Sequence, residues 1–279
     1  MAEIDLAYCM RLPPRDAIAY LQRKGFAISW DWEDTWHDAQ ATAFTVAKAT
    51  RLDILQDIRD AVQTAIDEGK TLAWFEKELT PVLQAKGWWG KQELADPATG
   101  EVRPVQLGSA WRLRTIYRVN VQTAYMAGRF QGQLDNVDDR PYWQYSAILD
   151  GLTRPSHRAL HGKVFRYDDP FWAVFYPSNG FGCRCRVIAL SEGNVARQGL
   201  KVDASGDKLG STMKLVSGRT GEYREVATYT ETDPATGKKI TISPDIGWSY
   251  NPGAAAWQPD LQRYTGTLAE LARGELGDG

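Results

Sequence analysis

The chain has 279 residues, 43% of them hydrophobic and 24% charged, which is ordinary for a globular protein with a sizeable core and is long enough for two modest domains or one large one. Its 33 Lys and Arg face 35 Asp and Glu, a net charge of −2, so any basic surface must be local and wholesale electrostatic binding of nucleic acid is not supported. The cysteines, Cys9, Cys183 and Cys185, are odd in number and include a C-x-C pair, which is not a disulfide framework and fits a reducing compartment.

Residues 1–10 carry acids and lack a long apolar run, and no stretch reaches the roughly 18 to 20 apolar residues that span a bilayer. A protein made and kept inside a cell, or packed into a particle assembled there, is the expectation. Pro13-Pro14, then residues 15–24 and Gly25, predict a short helix with Pro at its start and Gly past its end. Residues 34–49 space Trp36, Ala39, Ala43, Phe44 and Ala47 at helical steps. Thr50 is a candidate cap for the next helix, whose stripe is Leu55, Ile58, Val62, Ala65 and Ile66, ending at Gly69. Residues 71–86 continue in helical periodicity with Trp74, Phe75, Leu79 and Leu83, interrupted at Pro81 and stopped at Gly87-Trp88-Trp89-Gly90.

Residues 96–108 are rich in turn formers and read as a connector. A long helix follows from Ser109 to about Leu134, with Ile116, Val119, Val121, Ala124 and Met126 apolar and Arg112, Arg114, Arg118 and Arg129 read as a solvated face. The aromatic run 142–149 predicts a strand. Further on, a short helix at 155–161, strands at 163–165 and 184–190, a hairpin of 222–231 with 238–243 and a last helix at 260–273 are predicted. The eleven tryptophans, many beside Gly or Pro, read first as core and loop anchors and second as interface anchors. The fold class expected is α+β: a helical N-terminal region (1–95), a linker (96–108), a small mixed α/β domain carrying the most informative segment (109–190), and a C-terminal hairpin-and-helix extension (191–279).

That segment is 150–187. It holds two of the three histidines, two of the three cysteines, and six cations against three acids. His157 and His161 are four apart and share a helix face, and with Cys183 and Cys185 they offer a His₂Cys₂ donor set for zinc. In an extended C-x-C, however, the sulfurs point to opposite faces, so only one reaches a given ion. The alternative is polar packing, with His157 bonded to Asp150 to pin a loop and Cys183 a small buried residue. A Cys–His nucleophile pair is a third reading, kept open by Arg184 and Arg186 beside the thiols. No metalloprotease helix is present, since Arg158 stands where a general-base Glu would be, and there is no G-x-S-x-G and no P-loop.

Asp150, Thr153-Arg154-Pro155, His157, Leu160-His161-Gly162, Phe165, Asp169-Pro170-Phe171-Trp172, Tyr176-Pro177, Gly180-Phe181 and Cys183-Arg184-Cys185 together form a spaced string. The string resembles the signature of the phage Mu F-like, or phage head morphogenesis, family. Arg118 to Arg129, the early helices, and residues 247–253 resemble the flanking regions of that family. The resemblance implies a minor capsid component acting in procapsid assembly, with portal protein and major capsid or scaffold proteins as partners, packaged DNA as a further one, no membrane, and the virion head as location. It implies no catalytic residue and no cofactor. Asp150, Thr153, Arg154, His157, His161, Gly162, Pro177, Cys183, Arg184 and Cys185 would be structural or interaction residues. Some family members carry cysteines at the positions of Arg154 and His157 and a histidine near Gly180, which suggests metal binding there; Arg154 and Gly180 depart from that pattern. The rivals are a metal- or Cys-dependent enzyme, effector-like in kind, and a DNA-contacting protein that aids packaging or ejection.

Overall fold

A computed structural model describes residues 15–31, 43–96, 99–217, 221–232 and 237–257. The chain is α+β. Its elements are α1 (Arg15–Arg23), β1 (Gly25–Phe26), β2 (Ala43–Phe44), α2 (Leu52–Asp67), α3 (Leu72–Ala85), β3 (Lys91–Ala95), β4 (Val102–Gln106) and α4 (Ala110–Leu134). Then come β5 (Tyr142–Ser146), α5 (Pro155–Leu160), β6 (Val164–Arg166), α6 (Phe171–Phe175), β7 (Arg186–Leu190), α7 (Glu192–Gln198) and β8 (Val202–Asp203). The last are β9 (Leu209–Ser217), β10 (Glu222–Thr232), β11 (Lys239–Ile242) and α8 (Pro252–Trp257). Among the described residues no helix is long and apolar enough to cross a membrane.

The N-terminal helices form for the reason their periodicity predicts. Leu55, Ile58, Val62, Ala65 and Ile66 of α2 are all buried, as are Phe75, Leu79 and Leu83 of α3. All of these but Ala65 close one apolar cluster with Tyr20 and Leu21 of α1 and Leu113, Ile116 and Ala124 of α4. The start of α2 differs from expectation. Arg51, not Thr50, is the capping position, and its guanidinium grips Asp53 in the first turn at 3.0 and 2.7 Å. Pro81 does not interrupt α3; the helix runs through it. Of the predicted helix at 34–49, the described part is instead the strand Ala43–Phe44, paired parallel with Gly25–Phe26, then a turn. Trp36, Ala39, Cys9, Pro13-Pro14 and the predicted helix at 260–273 lie outside the described residues.

Residues 96–108 also differ from a bare connector. Val102–Gln106 pairs antiparallel with Lys91–Ala95, so the turn-rich string is the bend and second arm of a hairpin. It folds back because Val105 and Leu107 have apolar partners in the N-terminal cluster.

The 25-residue α4 joins two cores. Ser109 caps it by accepting from the Arg112 N–H at 3.3 Å. Leu113, Ile116, Ala124 and Ala127 face the first cluster, while Met126 and Phe130 enter a second. The predicted solvated arginine face holds only in part. Arg114 and Arg118 are exposed, but Arg112 is mostly buried and donates to the carbonyls of Ala47, Gln106 and Leu107. Arg129 donates to the Val187 carbonyl at 3.0 Å.

The second cluster lies against a four-stranded sheet of order β7-β5-β6-β8, with β5 central and antiparallel to β6 and β7. The predicted aromatic strand sits here but stops at Ser146, and Ile148 and Leu149 are exposed. Trp143 is fully buried, with Phe130, Trp172 and Tyr176 each 5.7 Å away or, for Phe130 and Tyr176 between themselves, 5.0 Å in edge geometry. Such edge-to-face pairs add to the area term. The hairpin of β10 with β11 forms as expected, and β9, which the sequence reading did not anticipate, completes its sheet.

Candidate functional site

The segment 150–187 wraps the open end of β5. Its helix α5 begins at Pro155, whose fixed φ and missing N–H suit a first helical position, and it buries His157 and Leu160. Gly182, at φ +67°, turns the chain just before Cys183, a conformation that Gly adopts without strain. Residues 183–185 lie outside any strand, and β7 begins only at Arg186. Both sulfurs of the C-x-C pair converge on one imidazole. Sγ of Cys185 lies 3.5 Å and Sγ of Cys183 3.8 Å from Nδ1 of His157. All three side chains are buried, and their donor atoms lie within 4.8 Å of one another. The expectation of sulfurs on opposite faces is overturned: the pair lies ahead of the strand, and both side chains meet the same ring.

His157 does not bond Asp150. That carboxylate instead receives a two-point grip from Arg184, at 2.6 and 2.8 Å, together with the Leu152 N–H at 3.0 Å and the Thr153 hydroxyl at 3.2 Å. Arg184, first among these, holds the Asp150 carboxyl well below the usual carboxylate range. Arg158 donates to the Asp150 carbonyl at 2.6 Å. Asp150 thus organises the 150–154 turn, while His157 faces the thiols.

His161 stands apart from the sulfur cluster. Its Nδ1 accepts from the Ala147 N–H at 3.1 Å and so prolongs β5 beyond its last strand residue. Gly162 continues that role, its N–H reaching the Tyr145 carbonyl at 2.9 Å with φ at +84°. Arg154 donates to the Phe181 carbonyl at 2.7 Å and pairs with Asp245 at 3.0 Å, tying α5 to the 177–183 loop and to a distant segment. Pro177 is buried past the end of α6.

Three polar residues central to this arrangement gave no signal in the sequence. Asn179 is buried, accepts from the Tyr145 hydroxyl at 3.0 Å and donates to the carbonyls of Val174 and Tyr176. Gln133 on α4 accepts from the Tyr176 hydroxyl at 2.7 Å and donates to Val187 at 3.1 Å. Asp245 occupies the space beside Gly180, where an added Cβ would lie 2.2 Å from its Oδ2. Burial raises the Asp245 carboxyl above its usual value.

The hydrogen bond with Cys185 and the imidazole of His157 lower the Cys183 thiol, while the hydrogen bond with Cys183 and burial push the Cys185 thiol up. The Nε2 of His157 is buried without a hydrogen-bond partner, so among the described residues no carboxylate orients the ring as a nucleophile–base pair requires.

A second feature adjoins the 181–182 loop. A cleft of about 990 Å³ runs between α4, the 103–106 strand and the 181–182 and 248–250 loops. Lys24, Lys48, Arg103, Arg112, Arg114 and Arg118 line it, against Asp31. Asp31 pairs with Lys48 and Asp96 with Arg103. Arg112 donates to carbonyls and lies over the Trp88 ring, 4.9 Å away, and burial lowers its guanidinium to about 10. Trp111, 70% exposed, shares a helix face with Arg114 and Arg118.

Comparison with known proteins matches residues 56–188 to the family model "Phage Mu protein F like protein". The chain is 48% identical over 273 residues, 98% of its length, to "Putative capsid assembly protein F" of Escherichia phage Mu. It is 45% identical over 234 residues, 84% of its length, to the "Mu-like prophage FluMu F protein" of Haemophilus influenzae. The chain spans 61% and 55% of those two relatives' own lengths. No solved structure matches it.

Proposed function

Across residues 56–188 the chain belongs to the Phage Mu protein F like family, and from that membership we propose that it is a structural component of head morphogenesis in a tailed bacteriophage or prophage. The observation that carries this reading is the 48% identity, over nearly the whole chain, to a phage Mu protein named for capsid assembly. The buried, carbonyl-satisfied polar network around β5 supports it as well, because it holds loops in place around two buried thiols. The partners proposed are portal protein and major capsid or scaffold proteins, and the location is the phage head. Quantitative mass spectrometry of purified procapsids and mature particles tests this. Recovery at a few copies in procapsids is expected; absence from both kinds of particle, with free protein in the lysate, overturns it.

The cleft favours a second reading, contact with packaged DNA. Its cations outnumber its acids in a chain that is net negative, and an exposed Trp beside two arginines offers a stacking surface. Binding to a short duplex or single strand should then weaken steeply with salt, and Arg118→Glu should flatten that slope. Salt-insensitive binding, or a slope unchanged by the variant, refutes the DNA contact without touching the head-assembly reading.

A further inference from the structure

We propose that His157, Cys183 and Cys185 form a three-ligand site for a thiophilic cation, zinc, with Nδ1 as the imidazole donor and His161 excluded. The argument begins with the count of lone pairs. A neutral imidazole nitrogen accepts a single proton, so one thiol would satisfy it. Here two sulfurs flank it at 3.5 and 3.8 Å. A tetrahedral zinc, with Zn–S about 2.3 Å and Zn–N about 2.0–2.1 Å, sets nitrogen and sulfur about 3.6 Å apart. The two observed distances straddle that value.

Placement supports the fit. The three donors come from two segments that the fold brings together: α5, and the stretch between Gly182 and β7. They are all buried, and soft thiolate with imidazole is a donor set that selects zinc over hard cations. The cation that could compete for the sulfurs, Arg184, is drawn away onto Asp150. His161 is engaged with the backbone of Ala147 and is not part of the donor group. Asp245 is held by Arg154 and is not part of it either. Among the described residues three ligands come together, which leaves a fourth position for a donor from outside this set, as in zinc sites with three protein ligands. Among the described residues the Nε2 of His157 has no acceptor to stiffen the ring, so affinity should fall below that of a site with a carboxylate behind its histidine.

The full chain, produced with zinc supplied and purified under reducing conditions without chelator, should carry about one zinc ion per chain by elemental mass spectrometry. Cobalt in its place should give sulfur-to-cobalt charge-transfer absorption and the strong visible bands of a tetrahedral ion. Cys183→Ser, Cys185→Ser and His157→Ala should each lower metal affinity about tenfold or more, while His161→Ala and Cys9→Ser should keep it. Circular dichroism separates loss of ligand from loss of fold. For the unmodified chain, thiol reagents should label Cys183 and Cys185 faster after chelation than before. Zinc-free protein from zinc-supplied cells, cobalt without charge transfer, or a folded Cys183→Ser chain that retains its metal each overturns the proposal.

Discussion

Gly128 on α4 is where α1 crosses. A Cβ added there would lie 2.7 Å from the backbone nitrogen of Ala17 and 3.0 Å from the Cβ of Asp16. Both belong to the first turn of α1, so no flexible side-chain end can yield. The helix would have to move by several tenths of an ångström, and α1 buries Ala17, Tyr20 and Leu21 against its neighbours. Two effects of Gly128→Ala therefore oppose each other. Alanine over glycine in a helix interior gains about 1 kcal/mol. Overpacking against an unyielding contact costs about 1–3 kcal/mol, and here the contact is backbone, which favours the upper end. The net expectation is a loss of about 1–2 kcal/mol. Gly132, four residues on in the same helix and exposed, has nothing within 4 Å of its added Cβ. Gly132→Ala should stabilise by about 0.5–1 kcal/mol. Urea unfolding reads both as shifts of the midpoint at constant slope. If Gly128→Ala proves as stable as the parent chain, or shifts with Gly132→Ala, the close approach of α1 to α4 is not what holds this crossing.

Other expectations follow from the buried polar groups. Burial lowers the Lys24 ammonium from 10.5 to about 7, so between those values the unfolded chain binds the extra proton. Stability should rise with pH through that window, by at most about 5 kcal/mol, and level off above it; Lys24→Met should abolish that part of the rise in urea melts at pH 6.5 and 9.5. Tyr176→Phe should cost about 1–3 kcal/mol by stranding the Gln133 oxygen, and a loss below a few tenths would mean that the Gln133 amide finds another partner. Asp150→Asn should speed amide exchange at Leu152 with little global loss, because the Arg184 pair is solvent-accessible. Since Asp150 ionises more readily when folded, the ordering of its turn should persist above the usual carboxylate range and fade as pH falls through its depressed value. Unchanged exchange at Leu152 in the Asn variant would count against that role.

The sequence by itself determined whatever repeats within a few residues. The stripes of α2 and α3, the Ser109-started helix and the aromatic strand at 142–146 were legible, because helix and strand periods are local properties of the chain. So was the importance of 150–187, whose spaced string carried the family. Strand β9 was not legible, since most of its residues are exposed and no alternation marks it. Nor was the strand at 43–44, whose spacing mimics a helix until a parallel partner at 25–26 claims its backbone. At the site, the sequence supplied the donors but misplaced their pairing. It set His157 on Asp150 and parted the two sulfurs, whereas tertiary structure gave Asp150 to Arg184 and turned both sulfurs to His157. Asn179, Gln133 and Asp245 became visible only in three dimensions. The physical reason is the same throughout. The meeting of both sulfurs with a histidine on another segment and an ion pair across more than thirty residues depend on the close packing of distant segments, which no local period encodes.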